Sequence, residues 1–108
     1  MANAYKVLGQ SAPAATTATT LYTVPSSTSA VASTLAVCNQ GASTTFRVAI
    51  RPAGATLAAQ HYIVYDNYVN QYDSVFLTIG ATLATTDVVT VYAGAATLSF
   101  SLFGTEIT

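Results

Sequence analysis

Several stretches of this chain alternate apolar and polar side chains with a period of two, and none carries a clear helical period. That pattern constrains the fold more than any other feature, because period two places successive side chains on opposite faces of a strand. In Thr45–Arg51 (TFRVAIR), Phe46, Val48 and Ile50 point one way, and Arg47, Ala49 and Arg51 the other. Ser74–Gly80 sets Val75, Leu77 and Ile79 on one face. Asp87–Ala93 pairs Val89 with Val91, against Val88, Thr90 and Tyr92. Thr97–Gly104 groups Leu98, Phe100 and Leu102 against Ser99 and Ser101. Val31–Cys38 reads as Val31, Leu35 and Val37 opposite Ala32, Thr34, Ala36 and Cys38.

Two further strands are expected at Leu21–Val24 and Gln60–Tyr65, with a short edge strand at Ala4–Leu8. The runs are rich in β-branched and aromatic residues and end in turn signals: Pro25-Ser26-Ser27, Asn39-Gln40-Gly41, Pro52-Ala53-Gly54 and Asp66-Asn67 among them. Pro13 and the threonines make Ala12–Thr20 an extended lead-in, and a single helical turn is expected near Ala55–Ala59. The reading is all-β: one antiparallel β-sandwich over residues 1–108, jelly-roll or immunoglobulin-like, of about seven to eight short strands. Residues 1–20 form its edge strand and lead-in.

Composition narrows the function. Charged residues are only 6% of the 108, against about 25% in an ordinary domain. Ser and Thr fill the deficit, so the surface is neutral and hydroxyl-rich, which promotes association. Three basic residues, Lys6, Arg47 and Arg51, do not make the positive footprint that nucleic acid or an anionic membrane requires. No run of about 18 apolar residues predicts a transmembrane helix. The N-terminus lacks the apolar core of a signal peptide. The lone Cys38 excludes an internal disulfide. Synthesis in a cytoplasm follows.

The most unusual stretch is His61–Asp73, HYIVYDNYVNQYD. It holds the only histidine, four of the seven tyrosines and two of the four acids. It does not read as an active site. Cys38 has no neighbouring charge to lower its pKa and activate it with His61. One His and one Cys fall short of a zinc set. The spacing of Asp66, Asn67 and Asp73 matches no calcium loop, and Asp and Asn are ordinary turn residues. No nucleophile elbow, phosphate loop or dinucleotide fingerprint occurs. No enzyme activity, catalytic residue, cofactor or metal is expected.

The tyrosines fit contact better than chemistry, since Tyr joins a large apolar area to a polar tip. Tyr62 shares a strand face with Val64 and is expected in the core. Tyr65, Tyr68 and Tyr72 are the candidate interface residues. Arg47 and Arg51, aligned on one strand face, join them as candidates to pair with acids of a neighbouring subunit and fix its register. The alternative for Tyr65, Tyr68 and Tyr72 is a stacking platform for sugar rings.

The stretch TTLYTVPSSTSAVASTLAVCNQGASTTFRVAIRPAG resembles a module of small virion structural proteins of tailed bacteriophages, cyanophages especially. The pieces that carry the likeness are LYTVP, STLAVCN and TFRVAIRPAG, continued by AAQHYIVYD, TDVVTVYAG and LSFSLFGTEI. They extend from about Tyr5 to Ile107. These are strand-and-turn motifs, so they identify a scaffold and transfer no catalytic residue. The resemblance implies a β-sandwich placed many times on a virion, as capsid decoration (cement) or as a neck or tail component. It implies a homo-oligomer, with threefold or sixfold placement, and other virion proteins as partners. The second reading is a host-surface or carbohydrate-binding adhesin of the virion.

Overall fold

In a computed structural model, which describes residues 2–108, eight strands form two four-stranded antiparallel sheets. The strands are β1 (Asn3–Ser11), β2 (Thr19–Thr23), β3 (Ser29–Asn39), β4 (Thr44–Arg51), β5 (Tyr62–Val69), β6 (Ser74–Leu83), β7 (Val88–Ala93) and β8 (Leu98–Ile107). Sheet A runs β1-β8-β3-β6 and sheet B runs β2-β7-β4-β5. First pairs with last, second with seventh, third with sixth and fourth with fifth. The chain is thus wound as one long antiparallel hairpin folded across both sheets.

The core lies between the sheets and consists of the inward residues that alternation picks out. Phe46, Val48, Val89 and Val91 from sheet B meet Leu35, Val37, Phe100 and Leu102 from sheet A, each 1% exposed or less. Phe46 and Phe100 meet edge to face across the core, centroids 6.1 Å apart. Val75, Leu77 and Ile79 pack against this cluster from β6.

Register shifts interrupt the pairing of β1, β2, β3, β5 and β6, and those in β3, β5 and β6 are not revealed by the sequence pattern. In β3, Ala32 and Thr34 pair with the consecutive residues Gly104 and Phe103, so Ser33 is an extra residue. Its hydroxyl donates to the Phe103 carbonyl at 3.1 Å. The inward parity therefore flips: Ala30 and Ala32 are buried, and Val31 does not share the Leu35–Val37 face as expected. In β6, positive-φ Gly80 marks a similar irregularity. In β5, both Ile63 and the Tyr65–Asp66 step are irregular against β4.

The β5 irregularities correct two expectations. Asp66 and Asn67 are not a turn. They lie inside β5, with Asp66 absorbing the bulge at φ 52°. The turn comes later, closed by the Asp73 amide donating to the Asn70 carbonyl at 3.2 Å. Nor is Tyr62 a core residue. The Ile63 bulge sets Tyr62 opposite Ala49, on the outer face, while Val64 points inward opposite Val48.

The connection from β4 to β5 also differs from the expected single turn at Ala55–Ala59. It has short 3₁₀ turns at Pro52–Gly54 and Ala59–His61, with irregular chain between. Arg51 holds it down, donating to the carbonyls of Ala55 (2.8 Å) and Gly54 (3.2 Å) and to Thr90 Oγ1 (3.4 Å). Ala49 and Thr90, on the outer face of sheet B, are buried at 1% and 3% exposure. Residues of an outer face are buried only where something covers them.

Candidate functional site

The two outer faces of the sandwich differ in character. That of sheet B carries an arginine held among tyrosines. Arg47 on β4 forms a two-pronged pair with Asp66 on β5, Nε to Oδ1 at 2.6 Å and Nη2 to Oδ2 at 3.3 Å. Its guanidinium carbon lies 4.1 Å from the Tyr65 ring centre and 4.4 Å from that of Tyr92. Such contacts use the negative face of the ring. Hydrogen bonding from Arg47 holds the Asp66 carboxyl below its ordinary pKa. The pair is therefore ionised, and its net charge is zero.

The β5 bulges bring Tyr62 and Tyr65 onto the same side, three residues apart. Regular alternation would oppose them. Their rings meet at 86° with centres 5.0 Å apart, an edge-to-face corner. Beside this corner is an open depression of about 570 Å³, lined by Leu57, Ala58, Ala59, Tyr62 and Tyr65. His61 fixes the strap that walls it, Nδ1 accepting from the Ala58 amide at 3.0 Å.

The structure brings Arg47 and Tyr65 together out of the five candidate residues. Tyr68 is exposed further along β5, opposite Thr45, and Tyr72 is exposed in the turn before β6, at φ 58°. Arg51 is engaged with its own strap. Both arginines thus have partners within the chain, where the sequence pattern had suggested acids of a neighbour. Tyr92, the other wall around Arg47, was missed. Its place opposite Arg47 in the β4–β7 register follows only from the pairing.

Among the described residues, the outer face of sheet A carries no charged side chain. Cross-strand rows run Gln10–Ser101–Ala36–Phe76 and Val7–Phe103–Thr34–Thr78. Phe76 is 70% exposed, Val7 47% and Tyr5 81%. All seven charged residues lie elsewhere. Lys6 reaches Glu106 at 2.6 Å, where Glu106 also accepts from buried Tyr22 at 2.5 Å. Asp87 accepts from the amides of Ala53 and Ala84, both at 2.9 Å, and Asp73 caps its own turn through Ser74 at 2.9 Å. Cys38 is half-buried on this face, with Ser74 and Ser99 as cross-strand neighbours.

Among the described residues, no group of three or more His, Cys, Asp or Glu converges as a metal site would require. Comparison of the chain with protein-family models, with curated proteins and with solved structures found no match.

Proposed function

We propose that this chain is a structural protein of a tailed-phage virion, a capsid-decorating (cement) or neck or tail accessory protein. It stabilises or connects the particle by protein–protein contact through the outer face of sheet A. The observation that carries this reading is that face: four strands whose described outward side chains carry no charge, with Tyr5, Val7 and Phe76 exposed. Interface centres are depleted in charge and enriched in aromatic residues. Desolvating hydroxyls and apolar groups also avoids the penalty of burying an unpaired charge.

Size agrees. Strands about 4.8 Å apart with a rise of about 3.3 Å per residue give four ten-residue strands a face of roughly 600 Å² before side-chain relief. A standard interface takes about 800 Å² per partner. The chain exposes 5393 Å², close to the roughly 5700 Å² expected for a folded monomer of its mass. That area is the one a folded single chain would expose, which suits docking by a face of the sandwich.

Fold-level analogy points the same way. We read the winding as a jelly roll, since the order β1-β8-β3-β6 and β2-β7-β4-β5 is unlike the immunoglobulin one. Jelly rolls serve in viral capsids and in lectins, so the analogy supports the reading without choosing between those roles. The resemblance of LYTVP, STLAVCN and TFRVAIRPAG to phage virion proteins favours a structural role on the virion over that of a lectin. The proposed location is the virion, after synthesis in the host cytoplasm. The partners are other virion proteins and further copies of the chain, a trimer included. The role needs no enzyme activity, cofactor, nucleic acid or membrane.

The test is to add purified protein to particles that lack it and measure co-sedimentation. Wild type is expected to pellet with particles at saturable stoichiometry. Phe76→Asp and Val7→Asp, both at exposed positions, are expected to fold normally but stay in the supernatant. A wild-type chain that remains monomeric and does not sediment with particles rejects the proposal.

A further inference from the structure

The depression beside Tyr62 and Tyr65 lies on the opposite side of the sandwich from the proposed docking face. We infer that it is a binding site for a neutral saccharide, held by stacking in the tyrosine corner. The inference does not rest on the virion reading.

Size comes first. At about 570 Å³ the depression falls within the roughly 300–1,000 Å³ of small-ligand sites. Its lining contains no charged side chain. Arg47 and Asp66, which flank Tyr65, are spent on each other at 2.6 Å and 3.3 Å, and Arg51 is engaged by the Gly54 and Ala55 carbonyls. An acidic or basic ligand would lose its hydration and find no counter-ion in the lining, whereas a neutral one bears no such cost.

The polar groups available are also the right kind. Neither the Tyr62 nor the Tyr65 hydroxyl makes a hydrogen bond among the described residues. Each can both donate and accept, at the rim of an apolar ring. A pyranose presents the complement: a C–H face and a girdle of hydroxyls. The corner is braced before any ligand arrives. Arg47 stacks on Tyr65 at 4.1 Å and is itself tied to Asp66 and Tyr92. Preorganisation of that sort lowers the ordering cost of binding. The bulges that create the corner are a recurrent device for re-aiming side chains next to sites.

The experiment uses the intact chain, isotope-labelled, titrated with glucose, galactose, mannose, N-acetylglucosamine and disaccharides of each. Amide shifts are followed at up to about 10 mM, enough to detect dissociation constants near 1 mM. At least one neutral sugar is expected to shift residues 57–65 saturably. Tyr62→Ala and Tyr65→Ala should weaken it at least about tenfold, equivalent to about 1.4 kcal/mol. Tyr65→Phe retains the ring and should lose less, which separates stacking from misfolding. Tyr68→Ala and Tyr72→Ala should bind as wild type does. Glucuronic and sialic acids should bind no better than their neutral counterparts. The inference is overturned if no neutral sugar shifts these residues. It is likewise overturned if Tyr68 and Tyr72 prove to be the determinants, or if a proline-rich peptide occupies the depression while sugars do not.

Discussion

Replacing Asn39 with alanine should destabilise this protein more than any other single polar substitution. Asn39 is 2% exposed at the end of β3. Its Nδ2 donates to the carbonyls of Ala42 (2.9 Å) and Asn70 (3.1 Å), with a longer contact to Val69 (3.4 Å). Its Oδ1 accepts from the Gly41 amide and the Thr97 hydroxyl, both at 3.0 Å. One amide thus joins three connections, after β3, β5 and β7, at one end of the sandwich. Four good bonds at about 1 kcal/mol net each set an upper figure of about 4 kcal/mol. Ala42 and Asn70 are exposed, so their carbonyls regain water and the expected loss is about 2–4 kcal/mol. For 108 residues the unfolding entropy is about 0.23 kcal/mol/K, so a loss of about 3 kcal/mol lowers Tm by roughly 13 °C. Urea unfolding and thermal melts measure both. Asn39→Asp sharpens the test: it keeps the shape, loses the donors and turns a carboxylate toward carbonyl oxygens. It should be at least as damaging as alanine at pH 7. A loss below about 1 kcal/mol for Asn39→Ala, or an Asn39→Asp variant as stable as wild type, would refute the reasoning.

Three other outcomes are expected. Hydrogen bonds from Lys6 and then Tyr22 hold the Glu106 carboxyl below its ordinary value of 4.5. The folded protein thus binds that proton more weakly than the unfolded chain, and the stabilisation is complete above about pH 4.5 and lost as pH falls through the folded value. Glu106→Gln should flatten that acid limb of the stability–pH curve, measured by urea titration. Burial and Glu106 raise the Tyr22 hydroxyl above its ordinary value of 10.0. Here the contribution is whole below pH 10 and lost above it, so Tyr22→Phe should remove the alkaline limb, at a cost of roughly 1–2 kcal/mol at pH 7. Gly104→Ala would drive its Cβ into the Val31 carbonyl. Calorimetry should register a loss of about 2 kcal/mol or more.

What could be read from the sequence was whatever depends on local alternation. The inward sets of β4, β7 and β8 were legible because each strand keeps its parity throughout its core-facing part. The Val31 face, the Asp66-Asn67 turn and the core placement of Tyr62 were misread for one physical reason. A bulge is a property of a strand and its partner together, and Ser33, Ile63 and Asp66 do not announce it alone. The burial of Ala49 and Thr90 was hidden because their cover is the β4–β5 connection. Two signals pointed to it. A connection of that length exceeds the usual hairpin loop of two to five residues, and it carries Leu57 amid small residues. For the site, Tyr65 and Arg47 were identifiable from residue type. Their meeting with each other, with Tyr62 and with Tyr92 required the register.

The central claim is that the uncharged face of sheet A docks against another virion protein. An electron-microscopy map of phage particles assembled in cells that express this chain tests it most directly. The account predicts multiple copies of the eight-stranded sandwich, with Tyr5, Val7 and Phe76 buried against a neighbouring protein and the Tyr62–Tyr65 depression turned outward. A particle that lacks the chain, or one in which those three side chains face solvent, would contradict it.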